Sequence, residues 1–517
     1  MSVISRLRWR ISVVAVFSAL ALVFSLSSAT QALAAGEPLV QISHDEFTNP
    51  DSQHKTEVEP DTFAFGNTIV SAFQQGRFFN GGASDIGFVT SLNGGLTFVH
   101  GSLPSATVNS IPPNPTYLRG SDASVAFDVK HKVWLISWLG IKNVNGPVDV
   151  VVSRSTDGGL IWSPPVVVNA SGDFNDKNWS VCDNTPSSPH YGNCYTEYDD
   201  ASKGDLEQMS TSTDGGLTWG PGTPTADGAH GLGGQPLVQP NGTVIVPYVG
   251  LDSNFFAFTI STFKSTDGGA TWSASTLVSE ADFHDPNPDG PSGGIRADIP
   301  LPSAEIDRLG KVYVTWSDCR FEASCNSSDI VLSTSSDGMT WSPVQRIPLD
   351  PVGSGIDHFI PGLAVDRSTA GNSAHLALAY YYFTQANCAL AACNLNVGFI
   401  SSVNGGRSWS RREQLAGPIK LNWIAQTSQG RMVGDYISTS IVPRDDDATP
   451  VFMLAHPPTP ATLTCGDPGS TCNEATFTTS EDLQRIVGGN ILIGNDSVLA
   501  RTTVSRSLRA RPLPTAF

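Results

Sequence analysis

The stretch "STDGGLTW" at residues 212–219 recurs almost letter for letter as "STDGGLIW" at 155–162 and "STDGGATW" at 265–272. Weaker copies begin at Ser91 ("SLNGGLTF"), Ser335 ("SSDGMTW", one residue short) and Ser402 ("SVNGGRSW"). Successive first serines lie 64, 57, 53, 70 and 67 residues apart. Self-similarity at a fixed period of about 60 residues predicts an array of one supersecondary unit.

The unit is legible in its flanks. Alternating runs such as "DIGFVTS", "DVVVSRS" and "DIVLSTS" lead into the motif, and a short run such as "SPPVVV" follows its Trp. Asp-Gly or Asn-Gly between two such runs predicts a β-hairpin, because glycine supplies the positive φ of the turn. Two further strands precede each hairpin, for example "ASVAFD" and "KVWLISWL". Four strands per repeat without an intervening helix predict an all-β fold, and such repeats set around an axis make a β-propeller.

Composition narrows the context. Arg6, Arg8 and Arg10 precede an apolar run from Ile11 to Leu26, and "ALA" at 32–34 offers a cleavage site. That layout predicts a signal peptide over 1–34 and an exported protein. Its removal takes the formal charge from −18 to −21. A chain this acidic is poorly suited to nucleic acid, whose binding leans on phosphate neutralisation, and no membrane association is expected after cleavage. The eight cysteines fall into four close pairs, Cys182/Cys194, Cys319/Cys325, Cys388/Cys393 and Cys465/Cys472. In an exported chain without C-x-x-C spacing these predict four short-range disulfides.

The S-x-D-x-G-x-x-W motif at the third hairpin of a four-stranded repeat resembles the Asp-box (BNR) signature of the sialidase-like superfamily, from about residue 37 to about 480. The resemblance implies a β-propeller domain over 35–480, with 481–517 as a loosely attached extension. Innermost strands are expected at 59–65, 122–127, 178–183, 235–239, 298–306, 359–365 and 434–441. That gives seven blades, or six if one segment is an insertion. The seventh would take "EATFTTS" (474–480) as its third strand and the N-terminal "PLVQIS" (38–43) as its outer strand.

The resemblance also implies that the boxes are scaffold, remote from the central pocket. Copies in successive blades cannot converge on one site, so Asp157, Asp214 and Asp267 are set aside. Asp85, Asp149 and Asp329 each stand six residues before a box serine and are set aside as a repeated blade feature. The search moves to unrepeated polar residues at the starts of inner strands: Glu59, Arg119, Asp122, Asp176, Lys177, Gln235, Arg296, Asp298, Asp357, His358, Arg431, Asp435 and Tyr436.

A sialidase-type site requires arginines to clamp a carboxylate bidentately and a tyrosine nucleophile. By position the resemblance makes Tyr436 the nucleophile, with Glu59 or Glu305 as its base and Asp122 as a further catalytic carboxylate. Arg119, Arg296 and Arg431 are the clamp candidates, and Asp298, His358 and Asp435 complete the substrate-binding set. One departure is plain: the family's first arginine lies in a [FY]-R-I-P motif, where this chain reads "VEPDTFAF" with Val58 at the arginine's place. Two functions are therefore carried forward: an exo-α-sialidase-type glycoside hydrolase acting on terminal acidic sugars, and a non-catalytic propeller binding glycan or glycoprotein on its axial face. A monomer without a catalytic cofactor is expected, with structural calcium at Asp285 and Asp289 of the loop "HDPNPDGPSGG" (284–294) as a further expectation.

Overall fold

The computed structural model describes residues 38–251, 258–286, 294–297, 299–386, 392–442, 446–480 and 485–492. The expected signal segment 1–34, Asp289, Asp298, Cys388 and residues 493–517 lie outside them. Among the described residues the fold is all-β, and its helical turns are short 3-10 segments. No helix among them is long and apolar enough to cross a membrane.

Strand pairing arranges the chain in four-strand antiparallel modules, three of which are joined through Thr56–Glu474 and Ala83–Gly120 into one 12-stranded sheet. Module 1 comprises Gln53–Phe65, Thr68–Arg77, Ala83–Ser91 and Val99–Ser102; module 2 comprises Arg119–Asp128, Val133–Ile141, Val148–Ser155 and Val166–Asn169. Module 3 comprises Asn175–Cys182, Cys194–Asp200, Leu206–Ser212 and Thr223–Pro224. In module 4 the first strand is split into Gly231–Leu232 and Leu237–Val238, ahead of Val244–Leu251, Phe258–Ser265 and Thr276–Ala281. Module 5 comprises Ser303–Ile306, Val312–Asp318, Asp329–Ser335 and Gln345–Arg346; module 6 comprises His358–Val365, Leu376–Phe383, Asn394–Ser402 and Glu413–Lys420. Module 7 takes Ser438–Val442, Asp447–Ala455 and Glu474–Thr479, and its outer partner is Leu39–Gln41, with Leu39 opposite Thr479. The N-terminal strand thus pairs with the last one, as the sequence predicts.

The first strands touch one another in succession. Asp61 accepts the Val125 amide at 2.7 Å, and Ser124 accepts the Ser180 amide at 3.1 Å. Gln235 accepts the Ala304 amide at 2.8 Å, Ser303 accepts the Leu363 amide at 2.9 Å, and Thr439 donates to Gly362 at 2.9 Å. Ser438 then donates to the Thr62 carbonyl at 3.3 Å, joining module 7 to module 1. Residues from all seven modules, including Trp179, Gln235 and Ser303, line one shared cavity.

The boxes hold turns. Ser155 Oγ donates to Asp157 at 2.7 Å and accepts the Gly159 amide at 3.0 Å, while Asp157 accepts the amides of Leu160 and Ile161. The same bonds recur at Ser212/Asp214 and Ser265/Asp267. Asn93 and Asn404 reproduce them with an amide oxygen, so an acceptor is required and a charge is not. Backbone donors from Thr340 and Met339 hold the Asp337 carboxyl down at about 2. Each turn also meets the preceding module: Thr90 donates to the Gly159 carbonyl at 2.7 Å, and a Cβ on Gly159 would stand 2.8 Å from Thr90 Oγ1 and Val70 Cγ2. The boxes are intermodule fasteners.

Asp85, Asp149 and Asp329 are buried and each is bonded locally, to Ser110, to Lys142 and Tyr117, and to Arg346, respectively. Three of the four expected disulfides, Cys182–Cys194, Cys319–Cys325 and Cys465–Cys472, close small loops. The fourth, expected between Cys388 and Cys393, is described at one end: Cys393 is buried and disulfide-bonded, while Cys388 lies outside the described residues. One expectation is corrected in part. Residues 485–492 of the extension are held rather than loose: Ser408 and Trp409 pair with Leu492 and Ile491, and the Ile486 amide donates to Asp446.

Candidate functional site

Four first strands carry the same irregularity. The register slips by one residue between Val58 and Asp61, Ser121 and Ser124, Asp176 and Trp179, and Phe359 and Gly362. Inside each bulge one non-glycine residue takes left-handed geometry: Glu59 (φ 54°), Asp122 (φ 46°), Lys177 (φ 50°) and Ile360 (φ 51°). A bulge re-aims the side chain it carries, and the left-handed region costs an L-residue on the order of 1–3 kcal/mol. In modules 1 to 3 the re-aimed side chain is charged, and all three line one pocket.

The pocket residues form one network. Asp435 pairs with Lys177 Nζ and, at 2.5 Å, with Arg296 Nη2. Lys177 also stands 3.4 Å from Asp122, which accepts the Ser121 hydroxyl at 2.6 Å. Glu59 accepts from Gln74 Nε2 and from the Asp435 amide at 3.0 Å. Arg77 and Asp176 line the same pocket. Arg77 donates to the Gly82 carbonyl at 2.8 Å and from Nε to the Met432 sulfur at 3.1 Å.

Electrostatics separate these groups. Burial, reinforced by Asp122 and Asp435, pushes Glu59 up to about 8. Burial likewise takes Asp176 to about 6 and lowers Arg77 to about 10. Asp435 is also buried, yet Arg296 and Lys177 overcome its desolvation and hold it well below the usual carboxylate range. Burial alone would lower Lys177, but Asp122, Asp435, Asp176 and Glu59 raise it well above its ordinary value. A neutral carboxyl thus stands beside an ionised one, the separation from which acid and base roles are drawn.

The expected site residues divide. Glu59, Asp122, Lys177, Arg296 and Asp435 converge. Tyr436 lies beneath them, 8% exposed, edge-on to Trp179 with ring centroids 5.1 Å apart. Its hydroxyl donates to the Ala123 carbonyl at 3.1 Å, and burial together with Glu59 and Asp122 raises its pKa well above 10.

The three-arginine clamp is corrected. Arg119 lies over the Phe78 ring at 3.9 Å and bonds Asn80 and the Gly81 carbonyl. Arg431 donates to the Ile424 carbonyl at 2.7 Å. Each guanidinium is spent on local backbone. His358 is also corrected: it is fully buried against Tyr380 and Tyr382, and burial lowers it to about 4. Asp357 pairs with His284 and accepts the Ser328 amide, and Glu305 pairs with Arg367 at 3.1 Å. Arg77, Gln74 and Met432 escaped the sequence search, which sought polar residues at first-strand starts: Arg77 and Gln74 belong to a second strand, and Met432 is apolar.

The fold and the repeated box define the class of protein: an all-β chain of repeated four-strand modules, each box forming a hairpin turn. Residues 135–364, which contain the boxes at Ser155, Ser212, Ser265 and Ser335, match the family model described as a BNR repeat-like domain. No curated protein matches the chain. Among solved structures it is similar to one described as Hadza microbial sialidase Hz136, at 12% identity over 78% of this chain and 75% of that one, with a TM-score of 0.42. It is similar to the intramolecular trans-sialidase from Ruminococcus gnavus at 14% identity, over 86% and 99% of the two chains, with a TM-score of 0.40. It is also similar to a PL25 ulvan lyase at 9% identity, over 83% and 96%, with a TM-score of 0.47.

Proposed function

We infer that the chain is an exported, seven-bladed β-propeller that acts on glycans bearing an acidic sugar, as a glycoside hydrolase with its site in the Glu59–Asp122–Lys177 pocket. The observation that supports this most is the convergence of three cations, Arg77, Lys177 and Arg296, with carboxyls held in opposite protonation states. The cations suit a sugar carboxylate. Glu59, neutral up to about pH 8, is the general acid, and Asp122 is the second carboxyl lining the pocket. The seven blades are supported by first-strand hydrogen bonds at six of the seven module junctions, including the one that joins module 7 back to module 1. Export is supported by the N-terminal sequence pattern and the three described disulfides.

A second reading, glycan binding without hydrolysis, is favoured by one observation: the Tyr436 hydroxyl is tied to Ala123 in surroundings that oppose the phenolate. The test is release of a fluorogenic leaving group from a sialoside and a glucuronide by wild type, Glu59→Gln and Tyr436→Phe. The hydrolase reading requires turnover by wild type and a loss of at least about 100-fold in Glu59→Gln. Tyr436→Phe at wild-type rate removes Tyr436 as nucleophile. Saturable binding of sialyl-oligosaccharide with no turnover by wild type establishes the binding reading instead.

A further inference from the structure

Module 3 breaks the repeat at a place where nothing in the fold requires it. Five residues before the box serine stand Ile86, Val150, Ile260, Ile330 and Val397 in five modules, all fully buried, and Glu207 in module 3. The cross-strand partner of that position is Gln74, Leu139, Val249, Ser317 or Tyr381 elsewhere, and Asp199 here. Two residues earlier on the same strand stands Glu197, where the other modules have Ala72, Ser137, Pro247, Thr315 and Ala379. One sheet face therefore carries Glu197, Asp199 and Glu207, with Asp176 opposite Asp199 at the edge of the pocket.

All three of these side chains are 0% exposed, and none of their six carboxylate oxygens has a donor in hydrogen-bonding geometry among the described residues. Unpartnered buried carboxylates are costly, and native proteins rarely keep them without an ion, a proton or a water. The groups facing them do not supply the balance. Asp176 and Asp205 add negative charge, Lys177 is committed to Asp435 and Asp122, Glu207 faces Glu197 closely, and the Gly234 amide is turned toward Glu197.

We propose that Glu197, Asp199 and Glu207 form a buried calcium site between modules 3 and 4. Six oxygens and no sulfur or imidazole match a hard cation that takes about six to eight oxygen ligands. Two other groups, Asp329/Asp350/His358 and Asp366/His375/Asp446, have donor atoms within 4.8 Å of one another. The first already holds the Arg346 guanidinium, and in the second Asp366 caps its own turn through Ser368, as Asp128 caps its turn through His131. In module 3 the Glu197 and Glu207 carboxyls face each other, with Asp199 beside them on the same sheet face.

The test uses the full chain after chelator treatment. Trp179 is the cross-strand partner of Glu197, so terbium bound here is excited through tryptophan. Wild type is expected to show sensitised emission that saturates at one ion per chain and is displaced by calcium. Glu207→Val restores the residue type of the other modules and is expected to fold and lose at least tenfold of the emission, whereas Asp285→Asn keeps it. Absent emission, equal emission from Glu207→Val, or loss in Asp285→Asn overturns the proposal. A Glu207→Val protein more stable than wild type, with neither melting temperature moved by calcium, also overturns it and marks a shared proton instead.

Discussion

Arg296 Nη2 stands 2.5 Å from Asp435 Oδ2 across 139 residues of chain, and the same carboxylate oxygen meets Lys177 of module 3. One buried carboxylate therefore fastens three distant segments, two of them through cations that line the pocket. Asp435→Asn removes the charge that both cations share at close range. Breaking a buried pair by removing one partner costs about 3–5 kcal/mol. The expected outcome is a destabilisation of that size in urea unfolding together with lost ligand binding. A stability change below about 1 kcal/mol would show the pair to be solvated.

The boxes give a contrast within one turn. Ser212→Ala removes the hydroxyl that bonds both Asp214 and the Gly216 amide and is expected to cost about 1–2 kcal/mol. Asp214→Asn leaves an acceptor oxygen in place, as Asn93 and Asn404 do natively, and is expected to change stability by less than about 0.5 kcal/mol. Equal losses from the two variants would assign the turn to charge.

Stability is expected to fall as pH rises. Glu59, Asp85 and Glu474 are each raised to about 8, chiefly by burial, and Asp61 to about 7. Unfolded carboxyls titrate near about 4. Between those values the folded chain binds more protons than the unfolded one, so raising pH favours unfolding. The melting temperature should drop by several degrees from about pH 5 to about pH 8, with Asp85→Asn flattening the slope. A melting temperature that rises over this window contradicts the burial of these groups. The proposed acid role of Glu59 adds that turnover should decline as pH passes about 8.

The Cys182–Cys194 bridge joins the first two strands of module 3 across a separation of 12 residues. Loop-closure entropy for a loop of this size contributes about 3 kcal/mol. The double variant Cys182→Ser/Cys194→Ser is expected to lose about 2–3 kcal/mol in denaturant unfolding. It should retain ligand binding, because neither cysteine lines the Glu59 pocket.

Much of the architecture was legible because it depends on local chemistry that repeats. Period-two alternation, Asp-Gly turns and a short polar acceptor two residues after a serine are contained within stretches of about ten residues. Leu39–Gln41 and Glu474–Thr479 were also readable as partners, since a repeat missing its outer strand must borrow one. The site was legible only by elimination. Glu59, Asp122, Arg296 and Asp435 were found because they do not repeat. Arg119 and Arg431 were misplaced because chain position does not reveal which way a long side chain turns. Asp298 lies outside the described residues.

The sequence by itself determined the strands, the turns and the order of the modules, because those follow from patterns between near neighbours. Only the tertiary structure decided which charges meet. Lys177 and Asp435 are 258 residues apart, and their pairing depends on how successive modules bring first-strand bulges to one end. The same packing decided that Arg431 faces a backbone carbonyl and that Glu59 stays neutral to about pH 8. Desolvation and Coulomb interactions act through space, and their magnitudes are set by distances that a linear chain does not contain.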